Sequence, residues 1–499
     1  MENKRRNARI VDVLCQALLT AMGFWVIYRF AAGTTPLRPN EYLWDSALFQ
    51  VMGKLWADGV TPYVGVFDHK GPLLFLAQKI AYHFSDPRMA LYVIESLMVS
   101  VSLCLGYQAM RLTWNELISF AGTFVMLVFW LPLMEYGNLC ETHSMPWIML
   151  AVYLQLRWLH SGKETHPWPY ALVYGLCFGA NAMIRPTNGL VIAAVTLVIT
   201  VDLLIHKKFG NILSNALALV AGVLAMVVPF VVYFQLKHAI SEFIYATWTF
   251  NLIYAKSLTF ALDLQSLRNV LFFMTPGLLC LFLAAVCVLR RQWRLCFINV
   301  LAALVTLYVT LSGIGYSHYF ALHVPLIALA MFTMHGIGKE GRGWKVLMAA
   351  AAVGFALVSL RTTVPYAQKN YLQPPTAQEA AQEQAYDDMV ASLYAQIPED
   401  ERDQVAVCGL LVTDAEIFLK TDIHPVGRFC FLLEWHTRAD NSVGSRFRQS
   451  LKSGRAQWVI CRDNGGAEDI MQILNDKYEL HAAEEWQGTQ YALYHWKDQ

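Results

Sequence analysis

Between residues 10 and 363 the chain is a succession of long apolar runs separated by short polar breaks. A hydrocarbon core of about 30 Å takes roughly 20 apolar residues in a helix, so each run predicts a membrane span. Eleven such runs lie near 10–31, 88–110, 116–134, 144–160, 170–184, 188–205, 212–236, 267–289, 295–312, 318–337 and 344–363. The fifth and sixth are short and separated by "RPTN", so they read equally as one broken element. Between the first two runs, "WDSALFQVMGKLWADG" places Leu48, Met52, Leu55 and Trp56 at helical spacing, which predicts an amphipathic helix on the membrane surface within a loop of short helices at 41–86.

From about residue 366 the pattern changes. "QVAVCGLLV", "QWVICR" and "TQYALYHW" read as strands, and "AQEAAQEQAYDDMVASLYAQ", "SVGSRFRQSLKSG" and "AEDIMQILND" as helices. The expected fold class is a polytopic α-helical membrane protein of about eleven spans, residues 1–365, followed by a soluble α/β domain, residues 366–499.

Composition agrees: of 499 residues 56% are hydrophobic and only 15% charged, with mean hydropathy +0.38. The tail holds 21 of the 37 acidic residues, which sets it apart from the apolar remainder. A net charge of +1, with no basic-aromatic stripe, zinc-like Cys/His spacing or phosphate-binding glycine loop, excludes nucleic acid as the expected partner. Six of the ten cysteines (Cys15, Cys104, Cys177, Cys280, Cys287 and Cys296) lie in apolar runs as small core residues and imply no disulfide framework.

Positive charge orients the spans. Lys4, Arg5, Arg6 and Arg9 place the N-terminus in the cytoplasm, where the first run reads as an uncleaved signal anchor. Alternating from there, Arg111, then Arg157 and Lys163, then "HKK" at 206–208, "RRQWR" at 290–294, and Lys339, Arg342 and Lys345 fall in cytoplasmic connections. The 41–86 stretch, the "MEYGNLCETH" loop, the 237–266 loop, "GIGYSHYF" and the tail are then extracytoplasmic.

Ionisable groups near membrane depth are costly and tend to mark a cavity or pathway, and here they collect in those outer loops. Asp45 stands at the first turn of the expected surface helix, where the helix dipole favours a carboxylate; it reads either as an N-terminal cap or as a functional acid. "FDHKGP" sets Lys70 beside Asp68 and His69, the composition of a solvated turn and equally of a phosphate contact at headgroup depth. "MEYGNLCETHSMPW" brings Glu135, Asn138, Glu141 and His143 into nine residues. With Asp45 and Asp68 these form a set that can bind a divalent metal, exchange protons or hydrogen-bond a sugar. Arg185 in "NAMIRPTNGL", and "GYSHYF" with Tyr316, His318 and Tyr319, add cation and donor groups. Glu95, inside the second span, reads as a buried partner.

Taken together, "WDSALF", "ADGVTPYVGVFDHKGPLLF", "GNLCETHSMPWIMLAVYL", "GLCFGANAMIRPTNGL" and "YSHYFALHVPLIALA" resemble, in order and topology, the bacterial GT-C glycosyltransferases. The branch is the one that includes the lipid A aminoarabinose transferase, the rhizobial lipopolysaccharide transferases and, more distantly, the protein O-mannosyltransferases. The resemblance covers residues 10 to 365. It implies a sugar moved from a polyprenyl-phosphate donor to a glycan, lipid or protein acceptor at the outer face of the bacterial cytoplasmic membrane, without a nucleotide sugar. It places the catalytic carboxylate of the family's first loop at Asp45 and its second acidic residue at Glu141. The lysine that meets the lipid phosphate maps to Lys70, with Gly71 interposed before the proline, and a recurrent arginine to Arg185. The family's Asp-Glu pair is not kept: Ser46 follows Asp45, and Glu41 lies upstream, so Glu41 and Asp68 stand as alternatives for the base. Glu41, Asp68, His69, His143 and His318 are the expected further contacts to substrate or to a divalent metal, the one cofactor entertained.

One carboxylate suffices for a single displacement at an anomeric carbon, because phosphate leaves with little protonation; the anomeric centre would then invert. The competing class is a transporter or flippase for a lipid-linked sugar, which predicts an internal repeat and charges within the spans. No repeat stands out, and the charges gather on one face. A ligase or polymerase of whole glycans would carry a large hydrophilic loop between late spans, which the sequence lacks.

Overall fold

The computed structural model describes residues 2–257, 271–311, 316–339, 341–408, 415–429, 434–462 and 468–497. The chain forms two compact units: Met1–Ala31 with Tyr92–Phe230 and Phe260–Leu372, and Ala32–Leu91 with Val231–Thr259 and Gln373–Gln499.

The first unit is helical. Helices occupy every expected run, among them Glu2–Phe30, Pro87–Arg111, Glu116–Trp130, Cys140–Ser161, Trp168–Ala182, Leu190–Ile205, Phe209–Leu236, Trp293–Leu311 and Arg342–Asn370. The eighth is described as a regular helix from Thr275 to Leu289, and part of the run expected for it, 267–270, lies outside the described residues. Seven helices among the described residues are long and apolar enough to cross a membrane, which makes this a multi-pass membrane protein. Cys140–Ser161 has the length, but Glu141, His143, Gln155 and Arg157 dilute its apolar character. "RPTN" separates two helices rather than breaking one: Trp168–Ala182 ends before Arg185, and a short 3-10 turn, Pro186–Gly189, leads into Leu190–Ile205.

Burial sorts the spans. Of the 18 most apolar successive positions in Ser317–Gly338, 83% are buried, against 22% of those in Phe209–Leu236 and only 11% of those in Arg342–Asn370. Apolar helices so exposed would be intolerable in water, so these faces meet lipid. The core between the spans is aromatic and tight, with Trp130, Trp158, Tyr107, Tyr174 and Phe129 fully buried. Gly175 and Gly222 let Trp168–Ala182 and Phe209–Leu236 touch backbone to backbone, since a Cβ on either would strike a carbonyl of the other helix.

The second unit holds a four-stranded sheet of order β1-β2-β4-β3, with β1 Val405–Cys408, β2 Trp458–Arg462, β3 Tyr478–Trp486 and β4 Thr489–Trp496. β1 runs parallel to β2, and β4 is antiparallel to both β2 and β3. Helix Ala377–Tyr394 starts with a reciprocal cap between Thr376 and Glu379. The expected surface helix forms at Trp44–Ala57, but Phe49, Gln50 and Val51 are buried together with Leu48, Met52, Leu55 and Trp56. It therefore buries more than the single stripe its spacing implied, packing on Pro72–Ala81 where Gly53 lies against Gln78.

Arg88 organises the segment leading to this helix. It is buried, and it donates to the carbonyls of Gly33 (2.8 Å), Thr35 (2.9 Å), Arg38 (2.6 Å), Glu41 (3.0 Å) and Ala32. A buried acceptor left without its donor costs about 1–3 kcal/mol. Arg88→Met is accordingly expected to lower the thermal unfolding midpoint of the purified protein by about 4 °C or more. A midpoint equal to the parent's would show that water replaces the guanidinium at no cost.

Candidate functional site

Within the second unit, Asp45 occupies the second position of helix Trp44–Ala57. The cap itself is Leu43, and no side chain caps the helix, so the capping role open to Asp45 in the sequence is not the one it plays. Trp44 before it has a positive φ of 42°, a backbone conformation that bulky residues rarely adopt. The Asp45 carboxylate is half-buried and takes part in no hydrogen bond or ion pair among the described residues. Its charge acts instead on the buried Asp68. Glu41, in the preceding segment, has its carboxyl raised by burial despite the opposing pull of Arg38 and Arg88.

The "DHKGP" turn is held from several directions. Asp68 accepts from its own turn, Lys70 N to Oδ1 at 2.8 Å, and Tyr63 donates to the Lys70 carbonyl at 2.8 Å. Asn251 donates to the His69 carbonyl at 2.8 Å, and Lys70 Nζ lies 2.7 Å from His69 Nε2. The His69 ring packs against Phe250, Tyr254 and His436 at centroid distances of 5.6, 5.6 and 5.9 Å. Asp68, His69 and His436, all buried, bring one ligand atom each within 4.8 Å of one another. A carboxylate and two imidazoles suit zinc and related divalent ions with a coordination position left open. Lys70 engages His69 through Nε2, and Nδ1 is the nitrogen 3.9 Å from Asp68 Oδ1. Burial raises the Asp68 carboxyl, with Lys70 pulling the other way, while burial and then the Lys70 charge hold His436 well below the usual histidine range. His436 was not found from the sequence.

In the first unit, Arg185 Nη1 meets Glu141 Oε1 at 2.5 Å, and its guanidinium stacks 3.6 Å from the Tyr319 ring centroid. The Arg185-Pro186 break places this cation between two helices, and Asn188 of the same turn donates to Ser144 at 3.0 Å. His143 belongs to a different chain of contacts: it lies 2.9 Å from Asn138 Oδ1, and Asn138 N donates to Glu95 at 2.6 Å. Gly137, at φ +86°, lets the backbone close on Ala31 and Glu95, where a side chain would not fit. Glu135 and Asn138 carry positive φ values of 47° and 57° in the same turn. His318 joins Glu135, with N and Nδ1 both 3.2 Å from Oε1, and Ser317 donates to the same oxygen. Burial would raise the Glu135 carboxyl, but the bonds from His318 and Ser317 outweigh it and hold it below its ordinary value. Glu141 and Arg185, singled out separately in the sequence, are therefore in direct contact, whereas His143 and His318 are each engaged elsewhere. Glu135, read from the sequence only as one member of the loop's polar set, is the residue that His318 and Ser317 engage.

No protein-family model matches the chain, and no curated protein matches it in sequence. Solved structures do match. ArnT from Cupriavidus metallidurans bound to undecaprenyl phosphate superposes with a TM-score of 0.53 at 12% identity, covering 97% of both chains. Its apo state gives 0.54 at 13%, again over 97% of each. The apo oligosaccharyltransferase of Archaeoglobus fulgidus gives 0.51 at 12%, over 89% of this chain and 69% of that one. At these identities the likeness is one of fold.

Proposed function

We propose that this chain, which has the fold of the GT-C membrane glycosyltransferases, moves a sugar from a polyprenyl-phosphate donor to a glycan, lipid or protein acceptor of the cell envelope. The reaction is placed at the outer face of a bacterial cytoplasmic membrane, with the N-terminus cytoplasmic and the α/β domain extracytoplasmic. The observation that carries this reading is Asp45: a half-buried carboxylate with no partner among the described residues, on a fold whose solved example holds undecaprenyl phosphate.

In this reading Asp45 accepts the proton of the acceptor hydroxyl as that oxygen bonds to the anomeric carbon. The bond from the anomeric carbon to phosphate oxygen breaks, and polyprenyl phosphate leaves with the electron pair. One displacement inverts the anomeric centre. The resemblance assigns contact with the leaving phosphate to Lys70 and to Arg185; Lys70 belongs to the second unit, and in the first Glu141 fixes the Arg185 fork through their shared hydrogen bond. The test is transfer by the purified protein from a synthetic polyprenyl-phosphate sugar to envelope extracts, read by mass spectrometry. Sugar delivered to an acceptor supports the reading; donor moved across a vesicle without loss of its sugar would make the chain a flippase instead.

Asp68, His69 and His436 are the residues proposed to hold a divalent ion. When bound, such an ion supplies positive charge to a phosphate oxygen. Protein purified without chelator is expected to carry about one equivalent of metal by elemental analysis, and His436→Ala to lose most of it. Equal metal content in the two proteins would remove the site.

A further inference from the structure

The α/β domain carries a cavity that the transfer reading leaves unused. Helix Asn441–Lys452 turns Val443, Gly444, Phe447 and Leu451 into the core. Arg446, Gln449, Ser450 and Ser453, spaced three, four and seven residues on, lie along another face. They line a cavity of about 430 Å³ together with Arg428 and Phe429 of the segment that follows β1 and with Arg455. That volume is in the range of small-molecule sites.

The charge inside it is unbalanced. Arg448 of the same helix pairs with Asp469. By contrast, Arg428, Arg446 and Arg455 form no ion pair among the described residues. The carboxylates whose charge reaches Arg428 are Glu242 and Asp440. Asp440 is already bonded to Tyr245 Oη at 2.5 Å and to Ser442 N at 2.8 Å. The Arg428 guanidinium is held against the rings of Phe429 and Tyr245, 4.7 and 5.0 Å from their centroids. Burial, and then the like charge of Arg446, lower the Arg428 pKa. Three guanidinium groups thus line one space, none of them in an ion pair among the described residues, and the Asp440 carboxylate whose charge reaches Arg428 and Arg446 is already engaged by Tyr245 and Ser442.

The geometry points to a binding site for a phosphate-bearing sugar unit of the acceptor, with Arg428, Arg446 and Arg455 on the phosphate. Guanidinium forks match phosphate oxygens two at a time. Gln449, Ser450 and Ser453 offer donors and acceptors to sugar hydroxyls, and Phe429 offers an apolar face to the ring. Three guanidinium groups in the lining suit an anionic ligand rather than an acyl chain. The assignment to the acceptor rests on the transferase reading, but the site itself is tested without transfer.

Calorimetric titration of the full-length protein in neutral detergent uses a hexose 6-phosphate, the same hexose without phosphate, and inorganic phosphate. The hexose phosphate is expected to bind about tenfold or more tightly than either comparator. Arg446→Gln with Arg455→Gln should weaken it by a similar factor, and Arg448→Gln should not. Inorganic phosphate binding as well as the sugar phosphate would mean an adventitious ion only and would overturn the proposal. So would a double variant that binds like the parent. Flotation with phosphatidylglycerol vesicles distinguishes the other source of phosphate: arginine-dependent binding to vesicles in place of the sugar phosphate makes the cavity a lipid-headgroup site and sinks the acceptor assignment. If the sugar phosphate binds but no sugar is ever transferred, the transferase reading fails and the site stands. If transfer proceeds with an unchanged KM for phosphorylated acceptor in the double variant, the site fails and the transferase reading stands.

Discussion

Asp45→Asn protein is expected to insert, fold and bind donor as the parent does, and to transfer sugar about 10²–10⁴-fold more slowly. The argument is one of replacement. Asparagine has the size and shape of aspartate but cannot take the acceptor's proton at neutral pH. Its effect on stability should be small, because Asp45 makes no hydrogen bond or ion pair among the described residues and does not cap its helix. The two other acids open to this role behave differently. Asp68 is buried at 2% exposure and accepts from the Lys70 amide within its turn, so Asp68→Ala, which removes that acceptor, should lower both the unfolding midpoint and the rate. Glu41 sits in a segment fixed by Arg88, and its carboxyl is raised by burial, which favours the neutral form at a given pH. Glu41→Gln should therefore retain most of the activity. Comparing rate and midpoint across the three variants decides the assignment: a rate lost only with Glu41→Gln, or lost equally with all three, removes Asp45 as the base.

The spans were legible because hydropathy is a local property. Twenty successive apolar residues announce a helix whatever lies elsewhere in the chain, and a helix stands at each expected run. The sheet was legible only where its strands are buried. β1 and the first four positions of β2 are apolar and buried, and β4 is buried at its centre, so all three show in sequence. β3, "YELHAAEEW", is an edge strand whose positions are mostly exposed, and its glutamates hide the alternation that would mark it. The same distinction governs the candidate residues. Glu141 and Arg185 each sit in a short motif and could be singled out one at a time. His436 lies 367 residues from His69 and has no motif around it, so nothing local ties it to the "DHKGP" turn. The Trp44–Ala57 helix was read from one stripe; its remaining buried positions depend on packing against Pro72–Ala81, which a helical period alone does not encode.

Removing either member of the Glu141–Arg185 pair should cost both stability and transfer, but not symmetrically. Glu141 is 2% exposed and Arg185 16% exposed at the side chain, so the carboxylate depends more on its partner than the guanidinium does. Breaking a buried pair costs about 3–5 kcal/mol when an uncompensated charge is left behind. Arg185→Gln leaves a buried carboxylate and loses the stacking on Tyr319, and is expected to approach that range. Glu141→Gln leaves a cation that retains Tyr319 and some access to solvent, so its cost should be clearly smaller. Arg185→Lys keeps the charge but gives up the planar fork and much of the stacking, and should restore stability more than rate. In the double variant, Glu141→Gln with Arg185→Gln, no buried charge is stranded, so the unfolding midpoint should lie above that of Arg185→Gln alone. Transfer should not recover with it, because the cation proposed for the leaving phosphate is absent. A double variant that regains both midpoint and rate would make the pair a structural contact with no part in the chemistry.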